Sequence, residues 1–118
     1  MAQKREHYLV VRLSESPSSD EKIIEAIYNK GASTINNNIP RYRINKVLVI
    51  NKEKYVIGIF NIDGIKFGDK YKYRYELKKL NDEDKKVEYD KWYNQKINLR
   101  SCFPYQSFDE KRLEAMMS

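Results

Sequence analysis

The stretch INKVLVINKEKYVIGIFNI, residues 44–62, decides the expected fold. Two runs rich in β-branched and aromatic residues, 44–50 and 55–62, flank the polar connector NKEK. Such runs favour strands, and a four-residue polar connector suits a hairpin between neighbouring strands. The stretch therefore predicts an antiparallel pair. Gly58 lies within the second strand, where the missing side chain permits a bulge, a bend or a close backbone approach.

The sequence on either side of this hairpin predicts three helices and further strands. An apolar run at residues 8–13, an alternating run at 70–78 and a shorter run at 97–103 each predict a strand. Capping residues and apolar spacing predict one helix from Ser18-x-x-Glu21 to Gly31, a second over residues 82–95 after Asn81, and a third over residues 109–117. We therefore expect a single α+β domain over residues 1–118, in which a curved antiparallel sheet or small, partly open β-barrel is flanked by two or three helices.

The run at residues 70–78 alternates with a period of two, which is typical of a half-buried strand. One face carries Tyr71, Tyr73, Tyr75 and Leu77, and the other carries Lys70, Lys72, Arg74, Glu76 and Lys78. A tight turn is expected at Asp63-Gly64, before this strand. The strand thus presents one aromatic and one mostly basic face.

Positive charge is concentrated in the middle of the chain. The 23 Lys and Arg residues exceed the 17 Asp and Glu residues, for a formal net charge of +6. Residues 41–79 contain eleven Lys or Arg residues against four acidic ones. Such a distribution attracts phosphate-rich or acidic partners over long range.

Aromatic and basic residues alternate within this basic part, which points to nucleic acid. Bases stack on tyrosine rings while lysine and arginine hold phosphates in single-strand and flipped-base recognition. We therefore predict a non-catalytic module that binds RNA, single-stranded DNA or modified-base DNA, with no cofactor. The candidate site residues are Arg41, Tyr42, Arg43, Lys70, Lys72 and Arg74. A half-buried edge strand has the same Tyr and Lys alternation, with the tyrosines in the core and the lysines preventing edge-to-edge aggregation.

The residues required for common enzyme chemistry are missing from the sequence. It contains no nucleotide-binding glycine motif, no HExxH and no GxSxG, and it has one histidine, His7, and one cysteine, Cys102. A disulfide framework and a zinc site are therefore not expected, and we predict that the chain is not an enzyme. An alternative is a metal-dependent nuclease or toxin, since Glu76-Leu77-Lys78 after Asp63 or Asp69 imitates a nuclease triplet.

Three apolar segments have a pattern in common with a known family: Tyr8-Leu9-Val10-Val11, Val47-Leu48-Val49-Ile50-Asn51 and Val56-Ile57-Gly58-Ile59-Phe60-Asn61-Ile62. Together they resemble the PUA-like group, which includes EVE and ASCH domains, and the likeness covers about residues 46–80. It resides in a strand that ends in a polar turn and precedes an apolar-apolar-Gly-apolar-apolar strand. The resemblance implies a small closed barrel and binding of RNA or a modified base in a cleft beside it.

Another alternative is a small phage-type inhibitor that occupies a host defence nuclease complex, as anti-CRISPR proteins do. The acidic groups Asp82-Glu83-Asp84 and Asp109-Glu110 are candidates for its contacts with a host nucleoprotein complex. The polar N-terminus and the short apolar runs match neither a targeting signal nor a membrane helix. We therefore expect a cytoplasmic protein without a membrane partner.

Overall fold

A computed structural model describes residues 7–15, 17–31, 44–67, 73–99 and 105–117 of the chain. The elements are β1 (His7–Arg12), α1 (Asp20–Lys30), β2 (Ile44–Ile50), β3 (Val56–Phe67), β4 (Tyr73–Lys79), α2 (Asp82–Trp92), β5 (Tyr105–Asp109) and α3 (Glu110–Met116). The five strands form one sheet in the order β4-β3-β2-β1-β5, so β4 and β5 are its edges. The predicted α+β class is confirmed, and the curved sheet is open rather than closed into a barrel.

The hairpin predicted from residues 44–62 is confirmed. β2 and β3 pair antiparallel, with Val47 opposite Phe60 and Leu48 opposite Ile59. Asn51 begins the turn, where its side-chain Oδ1 accepts a hydrogen bond from the backbone N–H of Tyr55 at 2.9 Å. The register shifts after Val49, which lies opposite Gly58, so β3 has a bulge beside this glycine.

One strand pair differs from the antiparallel sheet that we expected. β1 and β2 pair in parallel, with Leu9 opposite Val47 and Val11 opposite Val49. Parallel neighbours require a crossover connection, and α1 lies in the connection between these two strands. The sheet is therefore mixed.

The sheet has a hydrophobic core on each face. On one face, residues of β1 to β4 pack against Ile23 and Ile27 of α1. On the other face, a second cluster includes Trp92 of α2 and Leu113 of α3. Because β2 is central, its residues 46–50 are buried on both faces, which is typical of a strand covered on both sides.

The helix ends follow the capping chemistry of the sequence, with shifts in two boundaries. Ser19 rather than Ser18 caps α1, since its hydroxyl accepts from the backbone N–H of Lys22. Gly31 ends α1 at φ 61°, a conformation that glycine adopts without strain. Asn81 caps α2 as predicted, but that helix ends at Trp92 instead of residue 95.

Two predictions for the loops and the last strand were wrong. Asp63 and Gly64 form no turn: they lie inside β3, where the register against β4 shifts between Ile62 and Gly64. The predicted strand over 97–103 is not seen in its described part, residues 97–99, and residues 100–103 lie outside the described residues. A strand that we did not predict, Tyr105–Asp109, pairs antiparallel with β1. Ile97 makes an isolated bridge to Met117. The Tyr105–Asp109 strand, YQSFD, mixes polar and apolar residues without alternation, so the sequence pattern does not predict it.

Gly58→Ala is expected to destabilise the protein by about 1 to 3 kcal/mol, as overpacking of a tight core does. A Cβ at this position would lie 2.7 Å from Phe60 Cε2, and the Phe60 ring is fully buried. Urea titration measures the change. Gly64→Ala is the control, because a Cβ there lies 3.9 Å from its nearest atom, Glu76 Cδ. Equal effects at both glycines would contradict the close contact.

Candidate nucleic-acid interface

One of the six predicted site residues, Arg74, lies within the described residues. Arg41, Tyr42, Arg43, Lys70 and Lys72 lie outside them. Their part in a binding site therefore stays a prediction. The geometry around Arg74 is the starting point for a candidate site.

Arg74 connects the edge strand β4 to the end of α1. Its Nη1 donates hydrogen bonds of 2.9 Å to the backbone carbonyls of both Tyr28 and Asn29. Its guanidinium carbon lies 5.7 Å from the centroid of the Tyr28 ring. A cation at the last carbonyls of a helix stabilises the helix, because it interacts favourably with the negative end of the helix dipole. The position of the guanidinium over the Tyr28 ring adds a cation–π contact. Arg74 therefore has a structural role and places positive charge beside an aromatic ring.

Lys66 adds a second cation to this position, because it lies opposite Arg74 in the β3–β4 pair. Its side chain is 67% exposed and its ammonium lies 3.1 Å from a carboxylate oxygen of Glu76. The hydrogen bond to Glu76 raises the pKa of Lys66 above its usual value, and the nearby Tyr28 phenol contributes in the same direction. Tyr28 thus lies near two cations.

Lys30, the last residue of α1, and Arg12 of β1 supply two further cations. The Nζ of Lys30 donates to the carbonyl of Arg12 at 3.3 Å. The Nη2 of Arg12 donates to the carbonyl of Lys52 at 3.1 Å. We call this group the α1 basic surface; it consists of Arg12, Tyr28, Lys30, Lys66 and Arg74. Its cations other than Lys66 bind backbone carbonyls, and no carboxylate of the described residues forms an ion pair with them.

Several other cations of the described ranges are neutralised by carboxylates. Lys79 binds Glu21, and this hydrogen bond lowers the pKa of the Glu21 carboxyl. Lys91 binds both Glu110 and Glu114 of α3. These lysines are less suited to phosphate than the α1 basic surface, because a phosphate would have to displace a carboxylate.

A second aromatic and basic group lies on α2. Lys85 lies 5.5 Å from the centroid of the Tyr89 ring, and Tyr89 stacks on Tyr93 with 5.2 Å between centroids. The Tyr89 hydroxyl accepts from the backbone N–H of Ile59 at 3.4 Å, and burial raises the pKa of this phenol. The helix begins with three acidic residues, 82–84, which repel phosphate. This group is therefore the weaker candidate.

The carboxylates of the nuclease alternative lie beside lysines. Asp63 lies 3.6 Å from Lys78, and Glu76 lies 3.1 Å from Lys66. Asp69 lies outside the described residues. Among the residues whose positions the structure gives, no three His, Cys, Asp or Glu side chains are grouped as metal ligands. None of the helices in the described ranges has the length and apolar composition needed to cross a membrane.

The acidic groups of the inhibitor alternative differ in their environment. Asp109 caps α3 by accepting from the backbone N–H of Arg112 at 2.8 Å, and Glu110 binds Lys91. These two acids therefore have structural partners. Asp82 and Glu83 are exposed in the first turn of α2, where negative charge stabilises the helix by interacting with the positive end of its dipole.

A buried polar cluster, which the sequence did not reveal, lies on the other face of the sheet. Lys46 Nζ lies 2.9 Å from Glu88 Oε1, and their side chains are 10% and 8% exposed. The Tyr8 hydroxyl donates to Glu88 Oε2 at 3.1 Å, and the Tyr8 ring packs edge-on against Trp92. The three polar groups bond to one another, so the cluster fixes α2 on the sheet.

No protein-family model, curated protein or solved structure matches the chain. The resemblance to PUA-like domains accordingly stays a prediction.

Proposed function

We propose that the chain is a non-catalytic nucleic-acid-binding module and that the α1 basic surface contacts the phosphate backbone. The observation that carries the proposal is that Arg74, with Lys66 opposite it on β3, lies beside the Tyr28 ring near the end of α1. Lys30, on the other flank of the helix, and Arg12 add two further cations, each bound to a backbone carbonyl. Cations without carboxylate partners attract phosphate, and an adjacent ring offers a face on which a base can stack. The net charge of +6 supports this attraction.

The predicted residues outside the described ranges extend this proposal. Lys70 and Lys72 precede Arg74 in the sequence, and Arg41, Tyr42 and Arg43 precede β2. If they contribute, more phosphates are neutralised than the four cations of the α1 basic surface can account for. The salt dependence of binding counts these phosphates, because the slope of log K against log salt is about −0.7 per phosphate neutralised on a single strand.

We infer that the module binds without cleaving. Asp63 and Glu76, the described carboxylates that imitate a nuclease triplet, lie on strands beside Lys78 and Lys66. Such positions make them local salt-bridge partners. Incubation with RNA and DNA in magnesium or manganese tests the inference; cleavage that Glu76→Gln abolishes would make the nuclease the better function.

Lys66→Glu is expected to weaken binding of every nucleic-acid sequence to a similar extent. The side chain is 67% exposed, so the substitution leaves the fold intact. It reverses a charge opposite Arg74 and takes the cationic partner from Glu76, so two carboxylates would repel a phosphate beside Tyr28. The slope of log K against log salt should become shallower by about 0.7 for each phosphate that the variant no longer neutralises. Fluorescence anisotropy with labelled RNA, single-stranded DNA and duplex DNA at several salt concentrations measures both effects.

Lys86→Glu is the matched control, because Lys86 is exposed on α2 and the substitution changes the net charge equally. It should reduce affinity much less than Lys66→Glu. Equal reductions would show that net charge alone drives binding. Absence of binding by the wild-type chain at low salt would overturn the proposal, and recovery of a host nucleoprotein complex would then favour the inhibitor alternative.

A further inference from the structure

A shallow pocket lies on the flank of α1 opposite Tyr28. Ala26 and Tyr28 are two residues apart, so they point about 200° apart around the helix axis. The pocket has a volume of about 170 Å³ and is lined by Leu13, Ser14, Glu15, Pro17, Ala26 and Lys30. Its apolar part comes from Leu13, Pro17 and Ala26, and its polar groups are those of Ser14, Glu15 and Lys30.

The volume of this pocket suits a single small ring. Pockets that enclose drug-sized ligands measure roughly 300 to 1,000 Å³. A cavity of about 150 Å³ in another protein holds benzene. The pocket, at about 170 Å³ and open to solvent, has room for one six-membered ring such as a pyrimidine, while the sugar and phosphate of a nucleotide would lie outside it.

The charges around the pocket orient such a ring. Lys30 belongs to both the pocket and the α1 basic surface, and one of the three donors on its ammonium is used by the Arg12 carbonyl. The remaining donors are available to a phosphate at the edge of the pocket. Glu15 is exposed at the rim, where its negative charge repels a phosphate and its oxygens accept hydrogen bonds. The phosphate is thus directed to Lys30 and the base to the apolar part of the pocket.

We propose that this pocket receives one unstacked pyrimidine of a single strand and that Glu15 favours cytosine over uracil. Carboxylates accept hydrogen bonds from the N4 amino group of cytosine, whereas uracil has a carbonyl oxygen at that position. The base must leave a duplex stack to enter, so single strands bind more tightly than duplexes. This inference rests on the proposed function, since Lys30 supplies the phosphate contact.

Filling the pocket tests the inference. Ala26→Leu adds apolar volume at a helical position, and we expect it to weaken binding of oligocytidine by about 5- to 150-fold while duplex affinity changes little. Ala115→Leu is the matched control, because Ala115 is exposed on α3 beyond the other face of the sheet. Circular dichroism verifies that both variants fold. Binding of oligocytidine, oligouridine and oligoadenosine is measured in ribose and deoxyribose series.

Glu15→Ala tests the preference for cytosine without a change in the core. The ratio of oligocytidine to oligouridine affinity should fall towards one, whereas Glu53→Ala, which removes an exposed carboxylate from the β2–β3 turn, should leave the ratio unchanged. A preference shared by both sugar series identifies the base as the recognised group; a preference in one series identifies that strand as the ligand.

The failures of the two proposals are distinguishable. Salt-sensitive binding that Lys66→Glu weakens but Ala26→Leu does not, or equal affinity for all three homopolymers, would overturn the pocket proposal and leave the proposed function intact. Absence of any nucleic-acid binding would overturn both.

Discussion

Glu88→Ala is expected to lower the free energy of unfolding by about 3 to 5 kcal/mol, the range for breaking a buried ion pair. The substitution removes the carboxylate that lies 2.9 Å from the Lys46 ammonium, whose side chain is 10% exposed. It also removes an acceptor of the Tyr8 hydroxyl, and Tyr8 is fully buried. A buried charge and a buried hydroxyl thereby both lose a partner. Urea titration followed by circular dichroism measures the change.

Two control variants test whether the loss of stability comes from leaving a buried charge without its partner. The double variant Lys46→Met with Glu88→Leu removes both charges and should retain much of the stability, because apolar residues of similar volume often replace a buried pair without loss. Glu21→Ala breaks the exposed ion pair with Lys79 and should change stability little. Effects of similar size for Glu21→Ala and Glu88→Ala would contradict the buried character of the Lys46 and Glu88 pair.

Features that depend on neighbouring residues in the sequence were predictable. The β2–β3 hairpin follows from two β-branched runs and a polar connector, and pairing in the predicted hairpin was confirmed. Asn81 caps α2 by accepting from the backbone N–H of Asp84, as its position before three acidic residues predicted. Gly31 ends α1 for an equally local reason, its positive φ.

Features that depend on distant contacts were not predictable in the same way. The parallel pairing of β1 with β2 places Tyr8 opposite Lys46, and Glu88 reaches both from α2. No pattern in the sequence connects three residues so far apart. β5 was missed because its sequence, YQSFD, mixes apolar and polar residues as a loop does.

The candidate site was partly predictable for the same reason. Alternation identified Arg74 on the polar face of its strand, but its bonds to the carbonyls of Tyr28 and Asn29 come from tertiary packing. Tyr28 was not among the predicted site residues, because helical spacing alone does not distinguish a core ring from a half-exposed one. A tyrosine near a helix C-terminus is too common a feature to indicate a site without the strand beside it.

Phe60→Ala and Ile59→Ala are each expected to destabilise the protein by about 2 to 5 kcal/mol, as truncation of fully buried side chains does. Both residues are 1% exposed, yet they lie in separate clusters: Phe60 packs with α1, and Ile59 packs in the cluster that contains Trp92. Adjacent residues of a strand point to opposite faces, which is why both truncations are severe. Two-state urea titrations measure the two changes in stability. A small change at either residue would contradict a core on that face.

The position of Trp92, the one tryptophan of the chain, distinguishes the two cores spectroscopically. Trp92 is fully buried in the same cluster as Ile59, so a cavity at Ile59 should change its native-state fluorescence, whereas a cavity at Phe60 should leave the fluorescence unchanged.

The destabilisation from both alanine truncations together approaches the total stability of a small domain, roughly 5 to 15 kcal/mol. The coupling energy between the two positions is therefore measured with the milder substitutions Ile59→Val and Phe60→Leu. Because the sheet separates the two side chains, the changes in unfolding free energy caused by Ile59→Val and Phe60→Leu should add to within about 0.5 kcal/mol in the double variant. A larger coupling energy, or equal fluorescence changes from both truncations, would show that the two faces share one packing unit.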